Sequence, residues 1–106
     1  MSVDTRLDED GDNKVLNIAI SGRFDISMYS TFGSCYKDYI GNVSKVVVDM
    51  SNIEYIDSSA LGMLLMLRER TGGANSNIEL INLTPSVSKI FSQVKFDKLF
   101  ITRMGN

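Results

Sequence analysis

The stretch Lys45-Val46-Val47-Val48-Asp49-Met50, followed by Ile56-Asp57-Ser58-Ser59-Ala60-Leu61-Gly62-Met63-Leu64-Leu65-Met66-Leu67, decides how this chain is read. Its first part is a short β-branched run of the kind buried in parallel sheets, and it reads as the central strand. Its second part changes period. An acid and two hydroxyls at 57–59 precede an apolar helix expected from Ser58 to about Thr71 and closed by Gly72-Gly73. Between the two, residues 51–57 read as a connecting segment that packs Ile53 and Ile56 inward. A strand handed to a helix over a short connection is one step of a βαβ series.

Working outward toward the N-terminus, Leu16, Ile18 and Ile20 alternate through residues 14–20. The preceding Asp8-Glu9-Asp10-Gly11-Asp12-Asn13 is turn chemistry, and a strand near Val3 to Leu7 would complete a hairpin. Ser21-Gly22-Arg23-Phe24-Asp25 breaks the alternation. Met28, Phe32, Cys35, Tyr36, Tyr39 and Ile40 then recur at helical spacing until Gly41-Asn42, which predicts a first helix. Tyr29, Tyr36 and Tyr39 read as its packing residues with wet hydroxyls. Toward the C-terminus, residues 77–82 form a strand, and Thr84-Pro85 caps a third helix striped by Val87, Ile90, Phe91 and Val94. Residues 99–102 form a last strand. The fold class is α/β, with a largely parallel central sheet and an N-terminal antiparallel strand. A chain of 106 residues with 43% hydrophobic content can bury one core, so a single domain over 1–106 is expected.

Composition narrows the chemistry. With 11 basic and 13 acidic side chains the net charge is −2, leaving no excess of cations to displace nucleic-acid counterions. No run long and apolar enough to enter a membrane exists, and the first residues lack a signal peptide's basic-then-apolar order, so a cytoplasmic protein is expected. The single Cys35 fits a reducing compartment and reads as an apolar filler. The chain has no histidine, which removes the commonest general base and nitrogen metal ligand.

Three tempting sites fail. Residues 8–12 look like a calcium loop, but glycine stands fourth instead of sixth and Ala19 occupies the twelfth position. Ser58 lacks both a G-x-S-x-G elbow and a histidine to activate it. No Gly-rich loop ends in Gly-Lys-Ser/Thr. The residues therefore imply no enzyme, no catalytic residue, no metal and no cofactor.

What remains is the strand-to-helix step at 56–62. Asp57 and Ser58 read first as a helix cap on residue types alone; the same site can also present an exposed hydroxyl as a phosphoacceptor, since a helix N-terminus accommodates a phosphoryl group through its dipole and free N–H donors. Asp25 stands at the corresponding end of an earlier strand, the edge where open α/β folds meet ligands and partners, although a lone aspartate there is also an ordinary turn residue. Together they suggest an acidic rim around Ser58. From Leu61 to Leu67 every side chain but Gly62 is apolar. A helix on one face of a sheet needs one stripe only, so some of Met63, Met66 and Leu67 are left either for a partner or for a wide core contact or homodimer seam.

Gly22-Arg23-Phe24-Asp25, Val46-Val47-Val48-Asp49-Met50 and Tyr55-Ile56-Asp57-Ser58-Ser59-Ala60-Leu61-Gly62 together resemble stand-alone STAS domains acting as anti-sigma factor antagonists, nearest to those of Gram-negative bacteria, over almost the whole chain. The resemblance implies a βα superhelix and a phosphoacceptor serine at Ser58. On the residues themselves, Asp25, Asp57, Ser59, Ala60, Leu61, Gly62, Met63 and Met66 are the expected docking face around Ser58. The resemblance also implies a partner-switching cycle: the unphosphorylated form binds an anti-sigma factor, often itself a serine kinase of GHKL-type fold, and a PP2C-like phosphatase restores the modified form. Motility or surface growth can be the output, through a flagellar-type anti-sigma factor. Ala60 stands where many members have glycine, and the C-terminal helix common in the family is missing, which leaves a sheet edge open or paired in a homodimer. Two other readings remain: a non-phosphorylated STAS subunit of a membrane transport complex, and a small-ligand or nucleotide-binding module.

Overall fold

Leu16, Ile18 and Ile20 point to one side of a strand because side chains alternate at period two, and each is buried. The same holds for Val46, Val48 and Met50, and for Ile78 and Leu80. These residues form one cluster with Met28, Phe32, Tyr36, Ala60, Met63, Leu64, Leu67, Val87 and Phe91 from the helical segments. The structure is a computed structural model and describes residues 2–105. Its elements are β1 (Ser2–Asp10), β2 (Asn13–Phe24), a 3-10 turn (Ile26–Met28), α1 (Tyr29–Tyr36), β3 (Lys45–Ile56), α2 (Ser58–Arg70), β4 (Ile78–Leu83), α3 (Pro85–Gln93) and β5 (Ile101–Met104), with short 3-10 turns at Gly73–Asn75 and Phe96–Lys98.

The sheet order is β1-β2-β3-β4-β5, antiparallel between β1 and β2 and parallel thereafter. Strands laid down in sequence order by right-handed crossovers carry every helix to the same face. The opposite face holds the alternate residues Asn17, Ala19, Val47, Asp49 and Ile81, all only half-buried. The β-branched run is therefore covered on one side and not both. A parallel sheet usually needs two covered faces, and here polar groups serve the second. Glu79, 5% exposed, lies on that open face and is ion-paired with Lys45 of β3 and with Arg103 of β5, the latter at 2.8 Å. Asp49 accepts from Ser51 N–H at 2.9 Å and from the Asn82 amide at 3.1 Å.

Four expectations change. β2 does not end at Ile20, and residues 51–56 are strand, not connection: pairing continues from Ser21↔Asn52 to Phe24↔Ile56 through two register shifts. Each shift inserts an extra β3 residue, and Gly22, at φ 88°, sits beside one of them where only glycine is unstrained. The broken alternation was the mark of bulges. The first helix stops at Tyr36, and residues to Asn42 continue as turns. Its sequence Tyr-Ser-Thr-Phe-Gly-Ser-Cys-Tyr is poor in helix formers, so packing of Phe32 and Tyr36 must hold it. The last strand begins at Ile101, because Phe100 turns into the core against Phe96, with ring centroids 5.2 Å apart. Val94 lies beyond the end of α3 and is 43% exposed, so it leaves the apolar stripe.

The Glu79 cluster makes a testable electrostatic element. Lys45 first, with Arg103 adding, holds the Glu79 carboxyl below its ordinary range despite burial acting upward. The folded group thus releases its proton more readily than the unfolded one, so its stabilisation is full above about pH 4.3 and is lost as pH falls through the lower folded value. With no histidine present, the thermal midpoint should change little between about pH 5.5 and 8, then drop in acid. Glu79→Gln should cost about 1–3 kcal/mol at neutral pH and flatten the acid limb. Melts across pH for both proteins check this, and an unchanged acid limb in the variant would remove Glu79 as its source.

Candidate functional site

The pairing Phe24↔Ile56 brings Asp25 and Asp57 to adjacent positions at the C-terminal ends of neighbouring parallel strands. Both adopt the same extended conformation, φ −135° ψ −169° and φ −134° ψ −172°, and both cap the helical segment that follows. Asp57 Oδ1 accepts from the Ser59 N–H at 3.0 Å, and Asp25 Oδ1 from the Ser27 N–H at 3.0 Å. The cap reading of these acids is correct. It is also what aims Ser58, the first residue of the 13-residue α2, outward. Ser58 is exposed, and among the described residues its hydroxyl makes no hydrogen bond. Hydroxyl, helix N-terminus and acid rim therefore coincide at one point.

Arg23 joins this edge. Its Nε lies 3.3 Å from Asp25 Oδ2, and its guanidinium carbon sits 3.9 Å from the centroid of the Tyr55 ring, across the Arg23↔Tyr55 pair. The Ser27 hydroxyl first, then its backbone N–H, with Arg23 contributing, holds the Asp25 carboxyl below its ordinary range. Asp25 is thereby anionic at any physiological pH. Among the described residues no cluster of three or more His, Cys, Asp or Glu could hold a metal, and no helix is long and apolar enough to cross a membrane. Cys35, half-buried, has its thiol pushed up to about 12 by burial, which keeps it an unreactive thiol.

The apolar circumference of α2 divides between core and surface. Ala60, Met63 and Leu67 are buried and hold the helix to the sheet. Met66 is half-buried under the Tyr29 hydroxyl at 3.9 Å, and Ser59 and Leu61 are also half-buried. Leu65, not singled out from the sequence, is 39% exposed. It stands seven residues after Ser58, on the ridge that runs through Leu61 and Gly62. Ile26 at 66%, Tyr29 at 49% and Tyr55 at 41% extend exposed apolar surface on the elements that flank this helix tip. The signal that could have found Leu65 is its spacing from Ser58, which a circumference of uniformly apolar residues concealed.

A family model described as "Mlab, STAS domain" matches residues 6–102. The chain belongs to the STAS-domain family. A STAS-domain containing protein of Pseudomonas aeruginosa (strain UCBPP-PA14) is 44% identical over 89 residues, covering 84% of this chain and 88% of that protein. Among solved structures, this STAS chain is similar to an anti-sigma factor antagonist from Mycobacterium paratuberculosis, with TM-score 0.67 at 20% identity, over 96% of this chain and 86% of the other. It also matches the antagonist SpoIIAA in its unphosphorylated form, with TM-score 0.64 at 17% identity over 90% and 96% of the two chains. A sulfate transporter family protein from Wolinella succinogenes is similar as well, with TM-score 0.66 at 14% identity over 81% and 75%. These three structures establish the STAS fold, a five-stranded mixed sheet with its helices on one face.

Proposed function

We propose that this STAS protein is an anti-sigma factor antagonist, a non-catalytic binding module that holds an anti-sigma factor or related regulator while Ser58 is unmodified. The observation that carries the reading is the free Ser58 hydroxyl at the first position of α2, beside the Asp57 cap and the exposed Leu65 ridge. Ser58 is the phosphoacceptor, a GHKL-type serine kinase is the modifying enzyme, and a PP2C-like phosphatase restores the binding form. The docking face consists of Asp25, Asp57, Ser59, Leu61, Gly62, Met66 and Leu65. Ala60 and Met63 support it from below.

A phosphate at Ser58 would receive favourable helix-dipole stabilisation of up to about 1 kcal/mol, so the modified chain keeps its fold. The same phosphate places roughly −1.5 to −2 charges on the face a partner must approach. Intact-mass and peptide mass spectrometry of protein isolated from its native cells tests the modification, and affinity capture with Ser58→Ala tests the partner. A single phosphate on Ser58, together with capture of an ATPase-fold regulator, is the expected result. Leu65→Arg should weaken capture about tenfold or more while leaving the melting temperature within about 2 °C, because an exposed side chain carries little folding energy. Capture unaffected by Leu65→Arg would move the docking face elsewhere.

The sulfate transporter neighbour supports a second reading, a STAS subunit of a membrane transport complex without phosphorylation. It requires stable copurification with a transporter ATPase and no phosphorylated species in cells.

A further inference from the structure

A groove of about 200 Å³ runs between α1 and α2. Its floor is Phe32 and Met63, both buried, with Met66 beside them. Its α1 wall is lowered by Ser30, Gly33 and Ser34, and Tyr29 lies over one end, its hydroxyl against Met66. The other end is different in kind. Lys37 and Arg70 border it, and the buried Tyr36 lies there too, close enough to Arg70 to feel its charge. None of the residues lining the groove is acidic.

We infer that this groove binds a small amphiphilic anion, a medium-chain fatty carboxylate. An apolar trough with a few convergent polar groups is the common form of a ligand site, and this one is below the roughly 300 Å³ of drug-sized pockets, so the ligand is small. From Tyr29 to Lys37 the trough spans about 12 Å along the helix, enough for an extended acyl chain. Arg70 and Lys37 supply two cations, and the Tyr36 hydroxyl a neutral donor, for one carboxylate. Methionine sulfurs and a phenyl ring line the chain's path and adapt to an unbranched tail. A cationic or uncharged amphiphile of equal length lacks the headgroup contact. The groove shares Met66 with the proposed docking face but does not include Ser58, and binding in it does not depend on phosphorylation.

The test uses the full chain, octanoate below its micellar range, and octylammonium and octanol as controls. Amide chemical-shift mapping should place octanoate at Gly33, Met63 and Met66, and the melting temperature should rise with octanoate more than with either control. Arg70→Gln should weaken octanoate at least about tenfold, the size of one charge-assisted hydrogen bond. Gly33→Leu should abolish binding: a Cβ at Gly33 meets nothing within 4 Å, so the longer side chain can enter the groove without disturbing the helix. Its unliganded melt reads whether the variant is folded. Millimolar octanoate giving no localised shifts, or shifts undiminished in a folded Gly33→Leu protein, would overturn the site. Equal response to octylammonium would overturn the anion assignment.

Discussion

Ser58→Asp should bind the unmodified form's partner roughly a hundredfold more weakly than wild type, with no loss of folding stability. The introduced carboxylate carries one charge. Against a partner carboxylate about 6 Å away, at an effective dielectric near 20, the repulsion is about 3 kcal/mol before salt screening. That converts to a factor of roughly a hundred in affinity. The phosphate itself, with nearly twice the charge, costs about 4 kcal/mol or more after screening, close to a thousandfold. Folding responds in the opposite sense, because an acid in the first turn of α2 is favoured by the helix dipole. Ser58→Ala should bind like wild type and ignore the kinase. Titration calorimetry on the three proteins, with melts alongside, checks the pattern, and high salt should shrink the Asp penalty. Equal affinity of wild type and Ser58→Asp would refute the electrostatic switch.

Phe24→Ala should be the most damaging single truncation near the site, at about 3–5 kcal/mol. Phe24 is fully buried, with its ring centroid 5.3 Å from that of Phe32, and Phe32 in turn meets Tyr36 at 5.5 Å. Removing the ring opens a cavity under the 3-10 turn and α1, whose own sequence has little helical preference to resist. The melting temperature should fall by roughly 15–25 °C. Asp25 follows Phe24 directly, so its cap on Ser27 loosens with the core, and the loss should reach partner affinity as well. Denaturant unfolding gives the stability term, expected as a lower midpoint at unchanged slope. A midpoint within the error of wild type would mean that the Phe24–Phe32–Tyr36 stack contributes little to stability.

The two acid caps and the bulged strands separate what can be read locally from what cannot. Asp57-Ser58 before an apolar run, and Thr84-Pro85 before another, are local signals, because a cap satisfies backbone groups within three residues of itself. The β2 and β3 ends escape a local reading because a bulge replaces strict alternation with a pattern indistinguishable from a loop until the partner strand is in place. Helix α1 is shorter than its apolar spacing predicts for a related reason. Tyr39 and Ile40 still pack against the core, yet from turns whose geometry gives the same inward spacing.

The docking ridge shows the same division. An all-apolar α2 reveals that much of its surface must be covered, but its orientation about its own axis depends on where the sheet lies. Met63 and Leu67 went inward and Leu65 outward, a choice made by contacts with β-strand residues distant in sequence.

From the amino-acid order alone followed the α/β class, the parallel sheet with its antiparallel first strand, the absence of histidine chemistry and the exposed hydroxyl at Ser58. Each rests on period, composition or capping, which act over a few residues. Only the tertiary structure decided that all helices share one face, that the Lys45–Glu79–Arg103 cluster serves the other, and that Asp25 stands beside Asp57. Those outcomes depend on strand order and register, where groups far apart along the chain must meet, and no local preference encodes that meeting.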